Sequence, residues 1–119
     1  MTTNADAPHL DRERIRALDL DPPIVASILA TYVEDGARRL RALQEAASLG
    51  DSAGAWAQAH GLKGASYNVG AVAMGDACAS LDRSVPPTVE QLARLADAFA
   101  ATVAAIRASG LLEEGADAV

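Results

Sequence analysis

The apolar residues of this 119-residue chain recur mainly three and four positions apart, which is the period of an amphipathic α-helix. Prolines, glycines and capping residues interrupt the pattern and predict a short helix over 11–18 and longer helices over 22–49, 52–69, 71–83 and 88–110. Short connections between long amphipathic helices favour antiparallel neighbours. The expected fold is therefore all-α: an up-down-up-down antiparallel four-helix bundle with the short extra N-terminal helix against one end.

Two of the predicted helices begin with residues that stabilise a first turn. Asp21 precedes a proline pair, which places an acidic N-cap before residues suited to the start of a helix. Thr88 is followed three residues later by Gln91, which is the pattern of a capping box. These signals set the predicted starts of the longest and the last helix.

The length of the chain fits one domain. We expect the bundle to occupy residues 9–110, with a flexible leader over 1–8 and a flexible acidic tail over 111–119. The leader lacks the basic and apolar segments of a secretory signal, and no apolar run approaches the roughly 20 residues of a membrane span.

Composition and charge narrow the classes of partner. Half of the residues are hydrophobic but only 3% are aromatic, which favours closely packed helices over a sheet. The net charge of -6 argues against nucleic acid and anionic membranes, since both attract basic surfaces. The single Cys78 allows no internal disulfide and too few thiols for a structural zinc site. We therefore expect a cytoplasmic monomer without a metal, whose partners are proteins.

The candidate chemistry lies in the third predicted helix. The run His60-Gly61-Leu62-Lys63-Gly64 places two glycines in a helix interior, where each costs about 1 kcal/mol relative to alanine. The sequence shows no packing reason for that cost. Lys63 is the only lysine of the chain and lies one turn from His60, at a spacing where helical side chains meet.

At 100° per residue, His60, Lys63, Gly64, Tyr67 and Trp56 share one side of this helix, and small apolar residues share the other. His60 is therefore predicted to be exposed. Imidazole is largely neutral at pH 7 and keeps a nucleophilic lone pair. An ammonium group can neutralise phosphoryl oxygens, and the missing side chain of Gly64 leaves a path to the ring. These residue types indicate phosphoryl chemistry.

The run from His60 to Ala71, with its Leu-Lys-Gly and its Val-Gly-Ala ending, resembles the signature of histidine-containing phosphotransfer (HPt) domains of bacterial phosphorelays. The resemblance implies that His60 accepts a phosphoryl group at Nε2 from the aspartyl phosphate of one receiver domain and passes it to another. Lys63 and Gly64 match the family's phosphate-facing lysine and clearance glycine. The domain itself would need no cofactor, because the partner receiver domain supplies the magnesium ion.

Members of that family often carry a polar residue, commonly Gln, on the following helix, where it bonds the second ring nitrogen of the histidine. An ungapped reading puts Asp82 at this position. A carboxylate there would fix the tautomer of His60. The alternative is that Asp82 pairs with Arg83 or Arg38 in water, and the sequence leaves both open.

Docking of a receiver domain is predicted to involve side chains near His60 and on the first helix. The candidates are Trp56, Gly61, Tyr67, Ile15 and Leu18. Exposed aromatic residues are common anchors for partners, but Trp56 and Tyr67 could also cover the bundle edges. The first helix could equally close one end of the bundle.

The favoured function is a phosphoryl carrier, not an enzyme, that connects the receiver domains of a hybrid histidine kinase and a response regulator. Two alternatives are a phosphorylation-independent helical adaptor that binds receiver or kinase domains, and the phosphoacceptor part of a sensor histidine kinase. Gly61 follows the histidine where such kinases typically have an acid, and no nucleotide-binding domain follows. Labelling by ATP and magnesium alone would indicate a kinase.

Overall fold

The computed structural model describes residues 9–113, which are all-helical apart from turns and connections. The predicted leader (1–8) and residues 114–119 of the predicted tail lie outside this range. None of the helices described over residues 9–113 is both long and apolar enough to cross a membrane. The helices are α1 (Arg12–Ala17), α2 (Pro22–Ser48), α3 (Ser52–Asn68), α4 (Val72–Ala79) and α5 (Val89–Ala108).

The four longer helices pack in a ring, α2 on α3, α3 on α4, α4 on α5 and α5 on α2. Inside the ring, Tyr32 Oη and Ser66 Oγ share a buried hydrogen bond of 2.7 Å between α2 and α3. The Tyr32 ring also packs at a tilt against Phe99 of α5, with ring centroids 6.3 Å apart. The largest fully buried apolar side chains come from all four helices: Leu29, Leu43, Leu62, Met74, Leu95 and Ile106.

Helix starts follow the sequence in most cases. The capping box predicted for α5 is confirmed, since Thr88 Oγ1 accepts from the backbone of Gln91 and the Gln91 side chain accepts from the backbone of Thr88. Asp51 caps α3 through its side chain. Asp21 precedes α2 as predicted, but its carboxylate accepts no hydrogen bond from the described first turn, where prolines occupy the first positions.

Helix α4 is shorter than predicted, because it ends at Ala79 instead of residue 83. The chain then turns so that Leu81 enters the core from a connection, where it is 7% exposed. The side-chain amide of Gln91 donates to the carbonyl of Ser80, which satisfies a backbone acceptor at the helix end. Residues 80–83, which were predicted to continue the helix, therefore belong to the connection between α4 and α5.

The predicted tail also begins later than expected. Residues 111–113 form a helical turn after α5, and Leu111 and Leu112 pack against the core. Apolar side chains next to an open bundle end are more stable when buried than when solvated. The prediction that these two leucines belong to a tail is therefore wrong.

Helix α1 lies against one end of the bundle. Its buried Ile15 faces the core, the backbone N–H of Asp11 donates to Gly70 O after α3 at 2.8 Å, and Arg12 Nη2 donates to Ser109 O after α5 at 3.2 Å. These contacts tie the short helix to the ends of α3 and α5. A six-residue helix is marginal alone, so packing is what stabilises it.

The core contains two groups whose ionisation should destabilise the fold at high pH. Burial raises the pKa of Tyr32 from 10.0 to about 12 and that of Cys78 from 9.0 to about 12. The unfolded chain releases these protons at lower pH than the folded chain, so the unfolded state binds fewer protons in this range. The contribution of these two groups to the free energy of unfolding should therefore be constant below about pH 8 and fall as the pH rises towards 12.

Urea denaturation between pH 8 and 11 measures this effect, whose slope is at most about 1.4 kcal/mol per pH unit for each group. The Tyr32→Phe/Cys78→Ala double variant should be less stable at neutral pH, because Ser66 loses its partner, but should show a flatter pH dependence. An equally steep decline in the double variant would contradict the assignment to these two groups.

Candidate functional site

His60 is exposed on α3, as predicted. The rotation of the helix is fixed by the opposite side, where Ala55, Ala59, Leu62 and Ser66 are all buried against the bundle. Because these small and apolar side chains must face the core, the imidazole is directed to solvent. The sequence therefore determines the exposure of His60 through the residues on the opposite side of the helix.

The space beside His60 is open on the side of Gly64. A Cβ built at Gly64 would meet no atom of the described residues within 4 Å. Ala53 and Ala57, on the same exposed side of α3, are also small. A molecule that approaches His60 therefore meets small side chains along this side of the helix.

The surroundings of Gly61 differ from those of Gly64, because a side chain of α2 lies over Gly61, which the sequence did not reveal. A Cβ at Gly61 would lie only 2.5 Å from Nη1 of Arg39, because the Arg39 guanidinium crosses from α2 over this position. Arg39 is held there by Asp35, which accepts from its Nε at 2.9 Å, and by a longer contact with Gln58. The end of the Arg39 side chain, rather than open space, therefore covers Gly61, the residue proposed for docking, and a side chain at this position would have to displace the guanidinium.

Asp35 also pairs with Arg38, and these hydrogen bonds with Arg38 and Arg39 lower the pKa of the carboxyl group below its usual range. Acidic and basic residues three and four positions apart are a pattern that sequence can reveal. The pattern shows the pairing, but not that Arg39 extends towards the helix of His60.

Lys63 is half-buried and lies on the α4 side of α3. Burial raises the pKa of the Cys78 thiol on α4, and the nearby Lys63 ammonium partly opposes that effect. Within residues 9–113 no carboxylate forms an ion pair with Lys63. Its charge is thus close to the α3–α4 edge and is not neutralised by an acid of the described chain.

The imidazole of His60 stacks on Trp56, one turn earlier on α3. The ring centroids are 4.8 Å apart and the planes are inclined by 18°. The guanidinium carbon of Arg83, from the connection after α4, lies over the same indole at 5.4 Å from its centroid. Helical periodicity predicts that Trp56 lies near His60, but it gives no signal for Arg83, which follows Trp56 by 27 positions and lies outside the helices.

Asp82 does not orient His60 in this structure. It lies beyond the end of α4, exposed to solvent, and its Oδ1 accepts from both the backbone N–H and the hydroxyl of Ser84 at 2.8 Å. These two hydrogen bonds, the backbone one first, hold the pKa of Asp82 below its usual range. The prediction was wrong because it extended α4 to residue 83, whereas the helix ends at Ala79.

Tyr67 is half-buried at the α3–α4 edge. Its hydroxyl donates to Asp76 Oδ1 at 2.7 Å, and its ring lies directly against Gly75, where a Cβ would collide with it. The hydrogen bond to Asp76 is also the main reason why the pKa of Tyr67 is raised. The structure thus gives Tyr67 the edge-covering role that was the alternative to docking.

The two docking candidates of α1 are separated by the structure. Ile15 is 7% exposed and belongs to the core, so a partner cannot reach it without unfolding α1. Leu18 is 44% exposed just after α1 and is accessible. The prediction is therefore wrong for Ile15, and for Leu18 it stays a prediction.

The histidine is not part of a metal cluster in the described chain. Over residues 9–113, no three His, Cys, Asp or Glu side chains converge on a point where they could hold a metal ion.

Comparison with known proteins identifies the family to which the chain belongs. No curated protein and no solved structure matches the chain. The family model of the Hpt domain matches residues 27–108, a span that includes nearly all of α2 and the whole of α3, α4 and α5. Hpt domains are phosphocarrier modules of two-component signalling. With two thirds of its length matched and an exposed histidine in the centre of α3, the chain belongs to the Hpt domain family.

Proposed function

We propose that this protein relays a phosphoryl group from the receiver domain of a hybrid histidine kinase to that of a response regulator, through phospho-His60. The observation that carries the proposal is the exposed imidazole on α3 with open space beside it at Gly64. A buried or obstructed ring could not meet the aspartyl phosphate of a second protein in line.

The transfer is a substitution at phosphorus. The Nε2 lone pair of neutral His60 forms a bond to phosphorus while the bond between phosphorus and the donor's aspartyl oxygen breaks, which releases the carboxylate. The proton stays on Nδ1, and the imidazolium formed can lose it to water. The reverse sequence delivers the phosphoryl group to the next aspartate, so the chain itself consumes no nucleotide.

Charge around His60 supports this chemistry. The Lys63 ammonium lacks a carboxylate partner within residues 9–113, and the Arg39 guanidinium is fixed over Gly61, next to the histidine in sequence. Cations at this position favour a phosphoryl group and an acidic partner surface, although the chain carries a net charge of -6. Magnesium enters the proposal only as the ion of the partner receiver domain.

An apolar patch provides a second element of the proposed docking surface. Leu18, Leu20, Ile24 and Ile28 are between 37% and 46% exposed around the start of α2. Leu18 and Ile28 line one shallow groove with Val69, at the end of α3. Clustered exposed apolar side chains of this kind mark interaction sites more often than isolated ones.

Along the bundle axis, the separation between the patch and the histidine is within the span of one partner. Tyr32 lies opposite Ser66, so Ile28 is one turn to one side of that pair and His60 is six residues to the other. At 1.5 Å per residue the separation along the bundle is about 15 Å. A standard interface of about 800 Å² per partner spans roughly 30 Å.

The proposal also includes an up-down-up-down antiparallel arrangement of the four longer helices and a monomeric, cytoplasmic protein. The ring of helix contacts and the α2–α3 pairs support the arrangement. A monomer would leave the exposed side of α3 free for a receiver domain.

Phosphotransfer between purified proteins tests the function. Receiver domains from the same genome, labelled with ³²P by their kinases, should pass the label to this protein within minutes, and a second receiver should remove it. ATP and magnesium alone should give no label. If receiver domains bind the protein but transfer nothing, the adaptor function would replace the carrier; labelling by ATP alone would indicate a kinase.

A further inference from the structure

Three side chains form one continuous contact at the edge of the site. The centroid of the His60 ring lies 4.8 Å from that of the Trp56 ring, and the guanidinium carbon of Arg83 lies 5.4 Å from the centroid of the same indole. Trp56 is the only tryptophan of the chain. A planar guanidinium over an indole is a cation–π contact, which holds the charge at a defined place.

The N–H donors of the Arg83 guanidinium are available to bind an anion. Over residues 9–113, no hydrogen bond or ion pair engages it, although a guanidinium has five N–H donors. Two arginines of α2 differ, since Arg38 and Arg39 both pair with Asp35. Arg83 is thus a cation on the same indole that His60 stacks on, and the described chain leaves it without an anion.

The connection after α4 fixes the backbone that carries Arg83. Asp82 Oδ1 accepts from the backbone N–H of Ser84, which closes a tight turn around Arg83. The Gln91 amide holds the carbonyl of Ser80 just before this turn. A guanidinium on a fixed turn loses less conformational freedom on binding an anion than one on a mobile loop.

We propose that Arg83 is a second cationic ligand of the phosphoryl group on His60, and that Trp56 is the positioning residue that holds both the imidazole and the guanidinium. This inference rests on the proposed function, because it needs phospho-His60. The anion that Arg83 would bind is the phosphoryl group carried by the imidazole that stacks on the same indole, and a guanidinium can bind such a group through two N–H donors.

The same arrangement assigns a role to Asp82 that differs from the predicted one. The carboxylate does not reach the imidazole but closes the turn that presents Arg83. Asp82→Asn keeps an acceptor for the Ser84 N–H and should preserve the turn, whereas Asp82→Ala removes it. The Ala variant should therefore behave like a weakened Arg83 variant, and the Asn variant like the wild type.

The test measures the ionisation of the phosphoryl group itself. Phosphoramidate, a small-molecule donor that transfers its phosphoryl group to imidazole with release of ammonia, forms phospho-His60 without a partner protein. The ³¹P NMR resonance of the product is followed from pH 5 to 9. A nearby cation favours the dianion, so its removal raises the pKa of the phosphoryl group.

We expect Arg83→Gln to move the ³¹P titration midpoint up by about half a pH unit or more, and Arg83→Lys to retain part of the wild-type value. Arg107→Gln, an exposed arginine in the last turn of α5, is the matched control and should leave the midpoint unchanged. In a Trp56→Ala background the Arg83→Gln substitution should have little further effect, because the guanidinium has lost its platform.

The outcomes separate the two proposals. A midpoint that moves in Lys63→Ala but not in Arg83→Gln would overturn the role of Arg83 and leave the carrier function intact. A shift in Arg83→Gln that persists in full after Trp56→Ala would overturn the positioning role of Trp56. If phosphoramidate and receiver domains both fail to label His60, the proposed function fails and this inference fails with it.

Discussion

Replacing His60 with Gln should reduce acid-labile labelling by a phosphorylated receiver domain to background while the fold stays intact. Gln has no ring nitrogen that can form a bond to phosphorus, so no slower route remains at this position. The side chain is exposed and its described contact is the stack on Trp56, so we expect the free energy of unfolding to fall by no more than about 1 kcal/mol. Labelling after quenching in acid and in alkali, together with urea denaturation, measures both effects.

The chain offers a control for this experiment, because it contains one other histidine, His9, which lies before α1. His9→Gln should be labelled at the wild-type rate. Phosphohistidine is lost in acid and retained in alkali, whereas an acyl phosphate on Asp is lost in both. Acid-labile label that persists in His60→Gln and disappears in His9→Gln would assign the phosphoacceptor to His9 and refute the proposed site.

The exposure of His60 could be predicted because it depends on local periodicity. Ala55, Ala59 and Leu62 recur at helical spacing, and a helix that buries them must expose the residues on its other side. The same reasoning gave the capping box of α5, which uses residues three positions apart. Features that depend on residues of a single helix or turn can therefore be predicted from the sequence.

Features that depend on two helices were not accessible in the same way. Gly61 makes room for Arg39, 22 positions earlier in the chain, and the contact exists only because α2 and α3 are packed at one register. Arg83 reaches Trp56 from a connection whose start depends on where α4 ends. Helix boundaries are uncertain by a few residues in any sequence analysis, and here that error moved Asp82 from a helix to a turn.

The two glycines beside His60 therefore have different physical reasons, and substitution should separate them. A side chain at Gly61 would displace the Arg39 guanidinium, which lies 2.5 Å from a Cβ built there, whereas one at Gly64 would enter open space. Gly64 is thus the position at which the cost of a helical glycine has no internal explanation. The absence of a side chain at Gly64 therefore matters for a partner protein that approaches His60.

Gly64→Ala and Gly64→Leu should consequently make the isolated protein more stable and the carrier slower. Either residue is favoured over Gly in a helix interior, and a Cβ at this position meets no described atom within 4 Å, so the free energy of unfolding should rise by about 0.5–1 kcal/mol. The leucine side chain lies one turn from the ring and would hold the receiver domain away from Nε2. A displacement of about 1 Å can cost a factor of about 100 in rate.

We expect transfer from a phosphorylated receiver domain to fall at least tenfold in Gly64→Leu and less in Gly64→Ala, while labelling by the small phosphoramidate stays within about twofold of the wild type. Ala100→Leu, at an exposed position of α5, is the control for a bulky residue far from α3 and should transfer normally. Equal losses with the receiver domain and with phosphoramidate would mean that the substitution disturbs His60 itself. Wild-type transfer in Gly64→Leu would show that the open space beside His60 is not used in docking, because a partner that approaches in line must cross the volume the leucine occupies.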